Sequence, residues 1–179
     1  TDNNGIKQKH ITSFFNTVNT IQKEDNNNFD PDYYVYTDGA CKHNGKNYSR
    51  AGIGIYFGLN NDRNVSIKLE GSHTNNTAEL LAIIHTYPLI ENDIIQEKKI
   101  VIVSDSIYAL RCVSTFGEKC YKKNWNVSIP NKNLVQEIYE LYKDKSNIKF
   151  MHIYAHTNKQ DEHSYGNQQA DNLANKKLL

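Results

Sequence analysis

The feature that most constrains the fold is Ile100-Val101-Ile102-Val103, an unbroken apolar run set between Lys98-Lys99 and Ser104-Asp105. A short run that is β-branched throughout, with no polar alternation, fits a strand covered on both faces. Such a strand needs strand neighbours at its edges and helices above and below, and the rest of the chain offers them. Tyr33–Thr37 is rich in β-formers and reads as strand one. Ala51–Phe57 reads as strand two, and Val65–Leu69, with strict period-two alternation, as strand three. Their short connections favour an antiparallel meander. A helix starting near Asn75 or Asn76, both good N-caps, places Leu80, Leu81, Ile83, Ile84 and Tyr87 on one face. Further helices are expected from Ser106 to about Val113, from Asn131 to Lys143 and from Gln168 to Lys177, with a fifth strand over Ile148–Tyr154. The fold class is therefore α/β: a mixed five-stranded sheet, strands 1–3 antiparallel and 4–5 parallel, with helices on both faces. Residues 1–32 are polar and read as a flexible extension; residues 33–179 read as the folded domain.

Charge excludes some functions and localises others. With 21 basic and 20 acidic residues the net charge is +1, so the chain as a whole exerts no pull on a polyanion. A nucleic-acid site must be a local patch beside an acidic centre. The three cysteines are odd in number and form no Cys-x-x-Cys pair, which argues against zinc and against a disulfide framework. No apolar run reaches the length of a membrane span, and no signal-peptide core is present. The expectation is a soluble, monomeric protein of an intracellular reducing compartment, with no membrane partner.

Four carboxylates stand in distinctive local phrases. They are Asp38 in Tyr36-Thr37-Asp38-Gly39-Ala40, Glu79 in Asn75-Asn76-Thr77-Ala78-Glu79, Asp105 in Val103-Ser104-Asp105-Ser106, and Asp171 in Gly166-Asn167-Gln168-Gln169-Ala170-Asp171. Asp38 and Asp105 follow β-type runs, at the carboxyl ends where open α/β sheets place their ligands. Glu79 and Asp171 fall near the starts of the expected helices. Gathered together, the four make a cage of hard oxygen ligands suited to two Mg²⁺ ions, with Mn²⁺ able to substitute. Two such ions serve phosphodiester hydrolysis. His156 follows the fifth strand on the same rim, placed to carry a proton to the leaving group or to ease product release. Read singly, each acid is as well a turn residue, an N-cap or a dipole-favoured acid.

In their order, these phrases resemble type 1 ribonuclease H, particularly its eukaryotic form. Thr37–Cys41 with Asn44-Gly45, Arg50–Tyr56, Thr74–Glu79, Ser104–Ser106, Lys122–Trp125 and Gly166–Asp171 carry the resemblance, which spans residues 33–177. It implies an endonuclease that cuts the RNA strand of an RNA–DNA hybrid and leaves 3′-hydroxyl and 5′-phosphate ends. It assigns catalysis to Asp38, Glu79, Asp105, Asp171 and His156. Cys41 (through its backbone), Asn44, Asn75 and Asn76 would read the RNA strand, whose 2′-hydroxyls distinguish it from DNA. Thr74, Asn131, Phe116, Lys122, Lys123 and Trp125 would hold the DNA strand. Three departures from the family pattern stand out. Ser72 replaces an arginine of the phosphate pocket. His156 and Asp171 lie 171 − 156 = 15 positions apart, about five more than usual, which makes residues 159–165 an insertion. The hybrid-binding domain that many eukaryotic members carry at the N-terminus is not in the sequence.

In that domain's place stands Gln8-Lys9-His10-Ile11-Thr12-Ser13-Phe14-Phe15, which resembles a PIP-box peptide. One 3₁₀ turn would set Ile11, Phe14 and Phe15 on one side, with Gln8 left for a polar contact on a PCNA-type sliding clamp. Recruitment to DNA replication or repair sites follows, in a nucleus or at a viral replication site. Two alternatives remain open: a catalytically silent hybrid-binding or clamp-adaptor module, and a DNA-acting nuclease of the same fold, such as a resolvase or integrase core.

Overall fold

The structure, a computed structural model, describes residues 29–179. The clamp-binding candidates Gln8, Ile11, Phe14 and Phe15 lie outside the described residues. Five strands, β1 (Tyr33–Lys42), β2 (Arg50–Tyr56), β3 (Val65–Leu69), β4 (Ile100–Ser104) and β5 (Ile148–His152), form one sheet in the order β3-β2-β1-β4-β5. The meander β1-β2-β3 is antiparallel, while β1-β4 and β4-β5 are parallel. The expected mixed sheet is thus the observed one, and every residue of β4 is buried.

The helices are α1 (Asn75–Ile95), α2 (Ile107–Val113), α3 (Thr115–Lys122), α4 (Lys132–Tyr142) and α5 (Glu162–Asn175). One core fills the face of the sheet that presents Val35, Ile55, Ile100 and Ile102, against Leu80, Ile83 and Ile90 of α1, Cys112 of α2 and Val135 and Ile138 of α4. The opposite face carries α5, which seats on Gly52 and Gly54 of β2.

The elements depart from the sequence reading at the following places, each for a physical reason. The strand β1 does not stop at Asp38: it leaves β4 after Thr37 but stays paired with β2 through Lys42. Asp38 is therefore at the rim of the parallel part of the sheet and inside a strand at the same time. Helix α1 runs through Pro88 to Ile95, because fully buried Ile90 ties the segment beyond the proline to the core. Its cap is Thr74 rather than either asparagine. The Thr77 N–H donates to Thr74 Oγ1 at 3.1 Å and the Thr74 N–H donates to Thr77 Oγ1 at 2.9 Å, a reciprocal capping pair. Helix α3 is unanticipated, its pattern interrupted by Gly117 and four charged or polar residues.

The last helix begins six residues earlier than Gln168. Most of the insertion is its first turn: Asp161 caps it by accepting the Ser164 N–H at 3.0 Å. His163 then meets β1, its Nδ1 lying 2.9 Å from the Tyr36 hydroxyl and its ring edge-on to Tyr34. Tyr165 packs edge-on to Tyr56. Polar and aromatic residues without apolar periodicity hid this turn from the pattern.

Candidate active site

Two glycines build the site. Gly39 follows Asp38, and Gly54 is the cross-strand partner of Asp38. A Cβ on Gly39 would overlap the backbone of Ala78 and Glu79, so its absence lets α1 lie directly on β1 and delivers Glu79 to the rim. A Cβ on Gly54 would overlap the backbone of Ala170, so on the other face α5 lies equally close and delivers Asp171. The strand bearing Asp38 is thus pinched between the two helices bearing the other acids. Asp105 follows the end of β4, and the Ser106 side chain behind it caps α2 by accepting the Ala109 N–H.

The outcome is a tight anionic cluster. One oxygen from each of Asp38, Glu79 and Asp105 lies within 4.8 Å of the others. Asp38 is 5% exposed and Glu79 9% exposed. Burial first, then the facing charges of Glu79 and Asp105, push the Asp38 carboxyl far above the ordinary carboxylate range. Burial likewise raises Glu79, against hydrogen bonds from Asp38 and the Gly39 backbone that favour its charge. Asp105 is raised by burial and drawn back by a hydrogen bond from Asn167. Asp171 stands beside the three, within hydrogen-bonding reach of Asp38, and its charge opposes those of Glu79 and Asp105. Its own oxygens accept from Gln168 at 3.3 Å and Asn175 at 3.0 Å. Asp171 sits in the third turn of α5 and Glu79 in the second turn of α1, each deeper in its helix than the first turn expected from sequence.

A hard dication fits this donor set. Oxygen is the only ligand type present, the charges repel one another without a cation, and Glu79 Oε2 is buried with no hydrogen-bond partner. His156 lies in the loop beyond β5, exposed, with left-handed backbone at φ 52°, near enough that a positive charge on it would favour the ionised form of Asp105.

The other expected contact residues divide into groups. Asn44, Asn75 and Asn76 are exposed, and Asn44 Oδ1 accepts the Asn75 N–H at 2.9 Å, joining the β1–β2 loop to the start of α1. Cys41 donates its thiol to the His73 carbonyl at 3.3 Å on the same side. Ser72, in the arginine position, donates to the Lys46 carbonyl. The Thr74 hydroxyl is engaged in the α1 cap. Asn131, with left-handed φ 57°, precedes α4 and donates to the Tyr108 hydroxyl at 3.1 Å. Phe116 is half-buried on α3, Lys122 and Lys123 are exposed, and Lys122 pairs with Glu118. Trp125 requires a correction. The sequence groups it with the DNA-facing lysines, but it is buried in the core and its indole N–H donates to Glu140 at 2.9 Å. An indole so enclosed supports the lysine segment from beneath and has no open face for a nucleic acid.

A family model for RNase H matches residues 30–178. The chain belongs to the RNase H family. Among its curated relatives are ribonuclease H of Schizosaccharomyces pombe, 35% identical over 78% of this chain and 50% of that protein, and mouse ribonuclease H1, 33% identical over 78% and 48%. The chain spans about half the length of these relatives. Among solved structures, a foamy viral protease–reverse transcriptase in complex with an RNA/DNA hybrid superposes with a TM-score of 0.64 at 21% identity, covering 80% of this chain and 19% of that one, a likeness of fold. Two residues at this RNase H site escaped the sequence reading. His152 ends β5 beside Asp105 and lies edge-on to Tyr154; burial pushes its imidazole down. Asn167 donates to Asp105 Oδ2 at 3.2 Å. A signal for Asn167 was present: it precedes Asp171 by four residues, one helical turn on the same face.

Proposed function

We propose that this chain is a ribonuclease H that hydrolyses the RNA strand of RNA–DNA hybrids, leaving 3′-hydroxyl and 5′-phosphate ends. The observation that carries the reading is the convergence of Asp38, Glu79 and Asp105 within 4.8 Å at the carboxyl rim of an RNase H sheet. The names of the relatives and the hybrid held by the foamy viral enzyme support the substrate. Asp38, Glu79, Asp105 and Asp171 would hold two Mg²⁺ ions, with Mn²⁺ as a substitute. When bound there, such ions supply an activated water and charge stabilisation for an in-line displacement at phosphorus.

The chain's own residues do the rest. Asn44, Asn75, Asn76 and the Cys41 backbone present short polar groups to the minor groove, where 2′-hydroxyls mark the RNA strand. Thr74, Asn131, Phe116, Lys122 and Lys123 bear on the DNA strand. His156, on an exposed loop, delivers a proton to the leaving 3′-oxygen.

The test is a gel assay on an end-labelled RNA–DNA hybrid with Mg²⁺. Cleavage of the RNA strand alone, abolished by EDTA and restored by Mg²⁺ or Mn²⁺, is the expected result. Binding without cleavage would favour a silent module, and cleavage of duplex DNA a DNA-acting nuclease; either outcome defeats the proposal. Recruitment by a PCNA-type clamp through Gln8, Ile11, Phe14 and Phe15 is a separate part of the proposal. It stands on the match of the motif, and a labelled 1–20 peptide without affinity for such a clamp removes it.

A further inference from the structure

We propose that Asn167 is a positioning residue for the cation site, holding the Asp105 carboxylate in the rotation that a dication requires; the inference rests on the ribonuclease H reading above. Asn167 lies on α5, one turn before Asp171, so a single helix face serves both sides of the cluster. Its side chain is 5% exposed and its Nδ2–H donates to Asp105 Oδ2 at 3.2 Å. Its Oδ1 is buried with no hydrogen-bond partner, as is Oε2 of Glu79 in the same cluster. Turning the amide over would set its oxygen against a carboxylate oxygen, acceptor against acceptor, so the chemistry fixes the orientation.

Packing alone does not explain this residue. A buried amide with one edge unbonded is costly, and an apolar side chain of similar size would avoid that cost. The value of the amide is its bond to Asp105. A neutral donor restrains a carboxylate without cancelling its charge, whereas a lysine or arginine in that place would compete with a cation for it. With Oδ2 held by Asn167, the rotation of the carboxylate is fixed while its other oxygen stays unengaged by this bond. Hydrogen-bond partners of metal ligands characteristically set ligand orientation in this manner. The two unpaired acceptors, on Asn167 and Glu79, then have a use: each can accept from water in the hydration shell of a cation held by the cluster.

The experiment titrates Mn²⁺ alone into the full chain and into the Asn167→Ala and Asn167→Leu variants. It then measures kcat and KM on a hybrid. The leucine variant keeps the size and branching of the side chain and loses the donor without adding a charge, so it separates packing from hydrogen bonding. Both variants are expected to bind Mn²⁺ at least about tenfold more weakly and to lose about 10–100-fold in kcat, with KM within about twofold of the parent. Excess Mn²⁺ should restore part of the lost kcat in Asn167→Ala. Parent-like Mn²⁺ affinity in the variants overturns the inference. So does a loss of melting temperature with unchanged Mn²⁺ affinity of the folded protein, which would mark a purely structural residue. A parent chain that neither binds Mn²⁺ nor cuts the hybrid brings down the ribonuclease H reading itself, and this inference with it.

Discussion

Helix α1 carries two sequestered carboxylates, Glu79 near its start and Asp93 near its end, about 21 Å apart along the axis. The protein surrounds them in opposite ways. Around Asp93 it places Lys98 at 2.8 Å, Arg63 at 2.8 Å and the Tyr33 hydroxyl at 2.6 Å. Burial alone would raise Asp93, but hydrogen bonds from Lys98, Tyr33 and Arg63 override it and hold the carboxyl down at about 2. Around Glu79 the same helix places Asp38 and Asp105, with Asp171 beside them, and one carboxylate oxygen has no partner. Both places draw a carboxylate largely out of water, Glu79 the more fully and Asp93 in part; only one lets the fold neutralise it. A charge the fold neutralises serves stability, and a cluster it leaves unneutralised is prepared for a cation from solution.

The sharpest break of this contrast exchanges acid for amide at each end. Asp105→Asn should reduce hybrid cleavage by at least about 10³-fold, about 4 kcal/mol of transition-state stabilisation, with little loss of melting temperature. Asp93→Asn should leave kcat within about twofold but cost the fold about 1–3 kcal/mol, because Lys98 and Arg63 lose their shared anion. Steady-state kinetics with thermal melts of both variants decide the matter. Were Asp93→Asn to abolish cleavage with its stability intact, the division of labour proposed here would be wrong.

The same contrast shows what was legible in the sequence. The mixed sheet and the phrases that bear Asp38, Glu79 and Asp105 could be read because apolar periodicity and local phrases carry them: Ile100–Val103 demanded a doubly covered strand, and Asp38 sat between a β-run and a glycine. The ion cluster at Asp93 was not legible, since Tyr33, Arg63, Asp93 and Lys98 come from β1, the loop before β3, α1 and the loop after it, with no shared spacing. Trp125 was misplaced because a tryptophan beside two lysines looks the same in sequence whether its ring faces nucleic acid or core. The early start of α5 was hidden because its first turn is held by His163 and Tyr165 on β1 and β2 tyrosines, contacts with no helical period. Asn167 was within reach by helical spacing from Asp171, but an asparagine gains meaning only once Asp105 is known to lie beside it.

The smallest expected effect tests the sign of the contrast in the metal-free protein. Asp38 is raised by burial and by its acidic neighbours, so in the folded chain it keeps its proton above the pH at which the unfolded chain releases it. Below about pH 4 both states hold the proton and nothing is lost. As pH rises from there, the unfolded state gains by ionising and the folded state does not, so stability falls until the folded group also titrates. Asparagine cannot ionise. Asp38→Asn should therefore melt with the parent near pH 4 and above it at pH 8 in EDTA, by about 1–2 kcal/mol or several degrees. Asp93, held low, runs the other way: its contribution is complete above about pH 4 and is lost as pH falls through about 2. Saturating Mg²⁺ should narrow or reverse the Asp38→Asn advantage, since a ligand bound only by the folded parent stabilises it by mass action. A variant less stable than the parent at pH 8 without metal would mean that Asp38 is already compensated within the fold, and the cluster would lose its reason to bind a cation.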